Sequence, residues 1–289
     1  MKVLSILNLT PDSFSDGGEH NREEALEATI KQQKKFGVSH FDFGAESTAP
    51  FNNEIDHLQE LSRFEGTLYP LVQKKIFEKN DVFSIDTYKP ATFQRVYQFL
   101  REFYPHNKIW WNDVSGVLDK KSLEIIQNVS HENFHYIFSF TFVDEKKNTS
   151  RHMEYTKTDL SIEELIKEGQ DSFQRALGIL SPYLNKDQII FDPCFGFSKT
   201  KEQNLDLLER ADELFYNISS EIPVLIGISR KSFLRKMFDD TQLDKTQMNE
   251  LCDFYQMRAA SRFGLLKKFK RDIILRTHKA HVFNKLLST

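Results

Sequence analysis

At 289 residues with a formal net charge of −3, the chain has neither a basic field for nucleic acid nor an acidic tail. Its hydrophobic and charged fractions, 39% and 28%, are those of an ordinary soluble globular protein. The two cysteines, Cys194 and Cys252, lie far apart and give no disulfide framework. The stretch MKVLSILNLTPDSF is too short and too polar for a signal peptide or membrane span. A cytoplasmic protein with no membrane and no nucleic-acid partner is expected.

In chain order, the first predicted strand is VLSILNL (3–9), with Asn8 at its end. NREEALEATIKQQKKFG (21–37) has helical spacing and places Gly37 at the helix C-cap. HFDFGAES (40–47) leads into Glu46, Ser47 and Thr48, and DVFSIDT (81–87) ends in Asp86 and Thr87. The helical stretch PATFQRVYQFLREF (90–103) precedes KIWWNDVSG (108–116), whose strand ends in Asn112 and Asp113. After YIFSFT (136–141), Ser161 and Glu164 form a capping box for the helix predicted over 160–181. QIIFDP (188–193) ends in Asp192, PVLIGIS (223–229) runs into Ser229-Arg230-Lys231-Ser232, and DIILRTH (272–278) ends in Arg276 and His278.

Strands alternating with helices imply a parallel sheet, and eight such units is the count that closes a (β/α)8 barrel. An open doubly wound sheet is the other architecture this alternation allows, but it rarely needs eight regular units. No long linker, low-complexity segment or internal repeat divides the chain, so one domain over 1–289 is expected. The 26 phenylalanines read as core filling. Scarce glycine, 11 in all, matters more, because loops that close on anions use its missing side chain.

In such a barrel the active site stands at the C-terminal strand ends. Seven of the eight ends are polar here, and they sort into two groups. Asp86, Asn112 and Asp192 offer acceptors and amides suited to a flat, nitrogen-rich heterocycle, since a buried carboxylate accepts two parallel bonds from an amino-pyrimidine edge. Asn8, Arg276 and His278 offer donors and a metal ligand suited to an anion. Lys231 could serve either group. Arg276 and His278 share a strand face, so the pair reads as an anion grip; the alternative is that Arg276 pairs with a neighbouring acid and His278 is a satisfied core histidine.

Several segments resemble the dihydropteroate synthase family. They are NLTPDSFSDGG (8–18), AESTAP (45–50), SIDT (84–87), NDVSG (112–116), FDPCFGFSKT (191–200), PVLIGISRKSFL (223–234) and RTH (276–278), in the family's order. The resemblance implies a (β/α)8 barrel that joins a pterin methyl diphosphate to p-aminobenzoate and releases pyrophosphate. It implies that Asp86, Asn112, Asp192 and Lys231 hold the pterin, with Asp86 and Lys231 in the catalytic role. Asn8, Arg276 and His278 would hold the diphosphate, with Mg2+ near Asn8. Thr48, Phe197 and Ser232 would border the aminobenzoate site. Barrels of this family are commonly dimers, so a homodimer is expected.

The chain also departs from the family. Ala49 stands where the family has arginine, Phe51 where it has glycine, and Cys194 and Ser198 where glycine is usual. The fifth strand, YIFSFTFVDEKKNTS, lacks the family's Met-His motif, Lys279 replaces an aspartate, and FYQMRAASRFGLLKKFK is bulkier and more basic than usual. These changes collect at the second-substrate end. An active but divergent synthase is therefore expected, with a non-catalytic pterin-binding paralogue as the alternative. A third reading, the pterin-binding module of corrinoid-dependent methyltransferases, fits less well, because such a module needs no diphosphate grip.

Overall fold

The computed structural model describes residues 1–10, 19–47, 54–129, 132–238, 243–265 and 271–287. The strands are β1 (Lys2–Asn8), β2 (His40–Gly44), β3 (Val82–Asp86), β4 (Ile109–Asp113), β5 (Phe134–Ser139), β6 (Ile189–Asp192), β7 (Val224–Ile226) and β8 (Ile273–Thr277). All pair in parallel, each with the next, and β8 closes on β1. The helices are α1 (Glu19–Lys35), α2 (His57–Gln73), α3 (Pro90–Phe103), α4 (Lys120–Asn128), α5 (Ile162–Leu180), α6 (Lys201–Glu209), α7 (Ala211–Phe215), α8 (Ser232–Arg235), α9 (Lys245–Leu265) and α10 (Ala280–Leu287). This is the expected (β/α)8 barrel.

The period of two along each strand explains how one barrel holds both a core and a site. Leu4, Val82, Trp110, Ile137, Ile190, Leu225 and Ile274, one from each strand but β2, form an apolar plug at the N-terminal end of the interior. On β2 the matching position is His40, whose ring meets Trp110 edge-on at 5.3 Å. Two residues further along, the same face carries Ile6, Asp42, Ser84, Asn112, Ser139, Asp192, Gly227 and Arg276. One step of the pleat thus turns an oily plug into a polar ring.

The opposite strand face accounts for many of the phenylalanines. Phe41, Phe43, Phe83, Phe134, Phe138 and Phe191 point outward into the continuous core under the helices, where Phe93 of α3 stacks on Trp111 at 4.3 Å. Fully burying such a side chain contributes about 1.5–3 kcal/mol. Local signals hold where they were strong. Ser161 and Glu164 make the reciprocal capping box of α5, and Gly37, at φ +77°, turns the chain after α1. The end of the seventh run differs from expectation: β7 stops at Ile226, and beyond it Gly227 and Ser229 line the site while Ile228 stays in the core.

At the plug end His135 is almost wholly buried, and burial with the charges of Lys108 and Lys2 pushes its pKa down to about 3. It is therefore neutral in the fold but protonated in the unfolded chain below about pH 6.5. Its contribution to stability is intact above that pH and is lost as pH falls toward about 3, at about 1.4 kcal/mol per unit. Buried acids with raised pKa values, such as Glu60, change stability in the opposite direction. The difference between wild type and His135→Phe isolates the histidine. Urea unfolding at pH 7 and pH 5 should show the variant gaining on the wild type by about 2 kcal/mol at the lower pH; an equal gap at both would contradict neutral burial.

Candidate active site

Nine of the ten residues expected in the site line one cavity of about 320 Å3 at the C-terminal strand ends: Asn8, Asp86, Asn112, Asp192, Phe197, Lys231, Ser232, Arg276 and His278. Thr48, with Ala49 and Phe51, lies outside the described residues, as does most of the first loop.

The floor is built around an aspartate that the strand-end argument passed over. Asp42 is wholly buried and accepts bonds from Ser84 Oγ at 2.5 Å, Asn112 Nδ2 at 3.2 Å and Arg276 Nε at 2.6 Å. Arg276 also donates through Nη2 to Asp86 at 2.5 Å. Its signal was available in the sequence, an acid between two phenylalanines of a buried strand, which must have partners to be tolerated there. Asp86 is pushed up to about 7, chiefly by burial; Arg276 opposes the shift and the neighbouring Asp42 charge adds to it.

Asp192 uses Oδ1 to accept from the Cys194 amide at 2.7 Å, and burial raises its pKa. Lys231 precedes α8 and lies over the Phe197 ring, its Nζ 4.3 Å from the centroid; burial lowers its pKa. Asn112 Oδ1 is buried with no partner among the described residues, an acceptor held ready.

Arg276 and His278 both line the cavity, but they do not stand there as two unpartnered cations. Arg276 is an ion-pair partner of two carboxylates. His278 shares a hydrogen bond through Nδ1 with Ser229 Oγ at 2.9 Å, and burial beside Arg230, Arg276, Lys231 and Arg235 drives its pKa down to about 3. It meets the cavity as a neutral imidazole.

The sixth-strand loop takes the shape glycine favours without using glycine. Cys194 has φ +53° and Ser198 φ +51°, flanking Gly196 at +83°. Each non-glycine residue there costs about 1–2 kcal/mol. Buried Lys199 offsets this by donating to the carbonyls of Phe140 at 2.7 Å, Phe197 at 3.1 Å and Cys194 at 3.4 Å. From the other side His152 binds Ser198: the Ser198 amide donates to Nδ1 at 3.3 Å and its hydroxyl to the His152 carbonyl at 2.9 Å.

His152 also tilts against Phe197, with centroids 4.2 Å apart, so that Phe197 has contacts with both His152 and Lys231. The missing Met-His motif of the fifth strand is thus accompanied by a histidine from the 3-10 segment Lys146–Tyr155 that follows it. Sequence reasoning missed His152 because it looked at the strand end, and this residue arrives from a loop. The pair His152-Met153 was the available signal.

Among the described residues no group of three or more His, Cys, Asp or Glu side chains could hold a metal ion. Asn8, exposed at the end of β1, offers one amide oxygen, and Asp86 is already engaged by Arg276. This donor set builds no resident cage; it fits an Mg2+ that brings most of its ligands from phosphate and water.

The model of the pterin binding enzyme family matches residues 4–264. A dihydropteroate synthase of Synechocystis is 32% identical over 241 residues, covering 82% of this chain and 74% of its own. A bifunctional dihydropteroate synthase/dihydropteroate reductase of Helicobacter pylori is 30% identical over 231 residues, covering 80% of this chain. The chain spans 54% of that longer relative. The structure of a dihydropteroate synthase from Clostridium difficile, determined in the presence of pteroic acid, superposes with a TM-score of 0.73 at 27% identity, covering 100% of this chain and 94% of that one. Described residues include no helix long and apolar enough to cross a membrane. With a family model spanning almost the whole chain and the polar ring at the strand ends, the chain belongs to the pterin-binding enzymes, in the dihydropteroate synthase family.

Proposed function

We propose that the protein joins 6-hydroxymethyl-7,8-dihydropterin diphosphate to p-aminobenzoate, giving dihydropteroate and pyrophosphate in folate biosynthesis. The observation that carries this reading is the charge layout of the cavity. At the floor the three acids Asp42, Asp86 and Asp192 face the two cations Arg276 and Lys231, whereas the rim carries Arg230 and Arg235. The carboxylates of the floor favour positive charge developing on the pterin, and Lys231 and Arg230 favour the departing pyrophosphate. Asp86, Asn112 and Asp192 hold the pterin edge, and Lys231 lies between floor and rim.

In the reaction the carbon–oxygen bond to the diphosphate breaks, the arylamine nitrogen bonds to the freed methylene carbon, and the amine's proton is released to solvent. Phe197 and Ser232 border the arylamine, the side to which the family resemblance also assigns Thr48. Asn8 and His278 take the diphosphate side, His278 as a neutral donor. Asn8 would offer its amide oxygen as one ligand to a Mg2+ carried on the diphosphate, and the ion would supply charge neutralisation there. A homodimer and a cytoplasmic location complete the reading, supported by the family resemblance and by two buried, unpaired cysteines. Purified protein should release pyrophosphate only when p-aminobenzoate is present; release without it, or none with it, would overturn the assignment.

The pterin end has its own test. In Asp192 one oxygen caps the following turn, and Asn can keep that acceptor. Asp192→Asn should therefore preserve the melting temperature while removing the charge offered to the pterin. Charge-assisted hydrogen bonds are worth about 1.5–3 kcal/mol, so pterin affinity should fall about ten- to a hundredfold by calorimetry. Unchanged affinity in a stable variant would remove Asp192 from the pterin site.

A further inference from the structure

We propose that Arg235 receives the carboxylate of the arylamine substrate, an inference that rests on the assignment of the Phe197 and Ser232 side of the cavity to that substrate. Arg235 closes the short helix α8, three residues after Ser232, so the two share a helix face. Both line the cavity, with Arg230 beside them.

The arginines are oriented from behind. Arg235 Nη2 donates to Asn249 Oδ1 at 3.1 Å, and Arg230 reaches Asp253 at 3.3 and 3.4 Å. Asn249 and Asp253 stand one turn apart on α9, so a single helix face supports both side chains. Two features mark Arg235 as awaiting a ligand. Its side-chain partner is the neutral Asn249 amide, and no carboxylate pairs with it among the described residues. Its Nε is buried and has no hydrogen-bond partner among the described residues. Arg230 stands with φ +55°, a left-handed backbone that a non-glycine residue adopts only when its surroundings hold it there.

A benzoate fits this corner. Its ring would lie along Phe197, its carboxylate would meet the guanidinium fork and the Ser232 hydroxyl, and its amine would point toward the floor. The second loop carries Ala49, which has no charge to offer that carboxylate. Arg235 supplies the charge from the seventh-strand side instead. The same cation could meet the terminal phosphate of the diphosphate, and the experiment separates the two anions.

Steady-state kinetics of pyrophosphate release should be measured with 4-aminobenzoate and with aniline, which lacks the carboxylate, in wild type, Arg235→Gln and Arg235→Lys. Arg235→Gln should lower kcat/KM for 4-aminobenzoate about ten- to a hundredfold through KM. It should leave aniline and the KM for pterin diphosphate nearly unchanged, and Arg235→Lys should recover part of the loss. Equal losses with both arylamines would make the residue structural, and a raised KM for pterin diphosphate would give it to the phosphate; either overturns the proposal. A wild type that releases no pyrophosphate with either arylamine overturns the catalytic reading instead. Titration of benzoate into wild type and Arg235→Gln, with pterin and pyrophosphate bound, then decides the arginine by itself, equal affinities rejecting it.

Discussion

Arg276→Leu should weaken binding of a pterin with and without its diphosphate by the same factor. A residue that only gripped the diphosphate would spare the shorter ligand. Here Arg276 holds Asp42 through Nε and Asp86 through Nη2, so it shapes the floor that either ligand must meet. Removing one member of a buried ion-pair network leaves uncompensated charge and costs about 3–5 kcal/mol. The variant should therefore also unfold at lower urea. Calorimetry with 6-hydroxymethylpterin and with its diphosphate, at fixed magnesium, gives the ratio of the two losses. A ratio far above one would return Arg276 to the anion grip.

The same variant carries a pH signature. Burial already lifts Asp86 to about 7 against the pull of Arg276. A folded acid with a raised pKa keeps a proton that the unfolded chain has released, so stability falls as pH rises from about 4 through the folded value. Without the guanidinium the Asp86 value climbs further, and the loss of stability continues above pH 7. The gap between wild type and Arg276→Leu should widen between pH 6 and pH 8. A constant gap would mean that Asp86 gains no proton when its partner goes.

The barrel and most of the cavity were legible because the information is local. Eight apolar runs with polar ends name strands and their C-terminal edges, and nine of ten expected residues meet in one cavity. An acid partner for Arg276 was an open alternative in the sequence; which acids it meets across the barrel was not legible. Arg276 and Asp42 are 234 residues apart, and strand order alone does not say that one guanidinium bridges β2 and β3. Nor does an alternating pattern report that His278 is neutral, since that follows from burial among cations. His152 and Arg235 escaped for another reason: one comes from a 3-10 segment and the other from a single helical turn, and the strand period aims neither.

Lys146→Met should unlatch the fifth-strand loop and destabilise the protein by about 3–5 kcal/mol. Asp113 at the end of β4 is wholly buried, and its Oδ2 accepts from Lys146 Nζ and from Tyr136 at 2.7 Å. Ser115 supplies its amide and hydroxyl to Oδ1 at 3.1 and 2.6 Å, and Lys146 Nζ also reaches Ser115 Oγ at 3.0 Å. Lys146 opens the segment Lys146–Tyr155, which carries His152 to Ser198 and Phe197. Removing the ammonium strips the buried carboxylate of its counter-charge and frees the base of that segment. Replacing both partners, as in Asp113→Asn with Lys146→Met, leaves no buried charge, so the double variant should recover much of the lost stability. Its loop should nevertheless stay slack, because Met cannot donate to Ser115. Urea unfolding of both variants, with amide hydrogen exchange over residues 146–156, tests the two effects separately. A single variant as stable as the wild type, or a double no better than the single, would show that the ion pair does not anchor this loop. If exchange in the loop rises while KM for the arylamine is unchanged, Phe197 keeps its place through Lys231 alone, and His152 only braces Ser198.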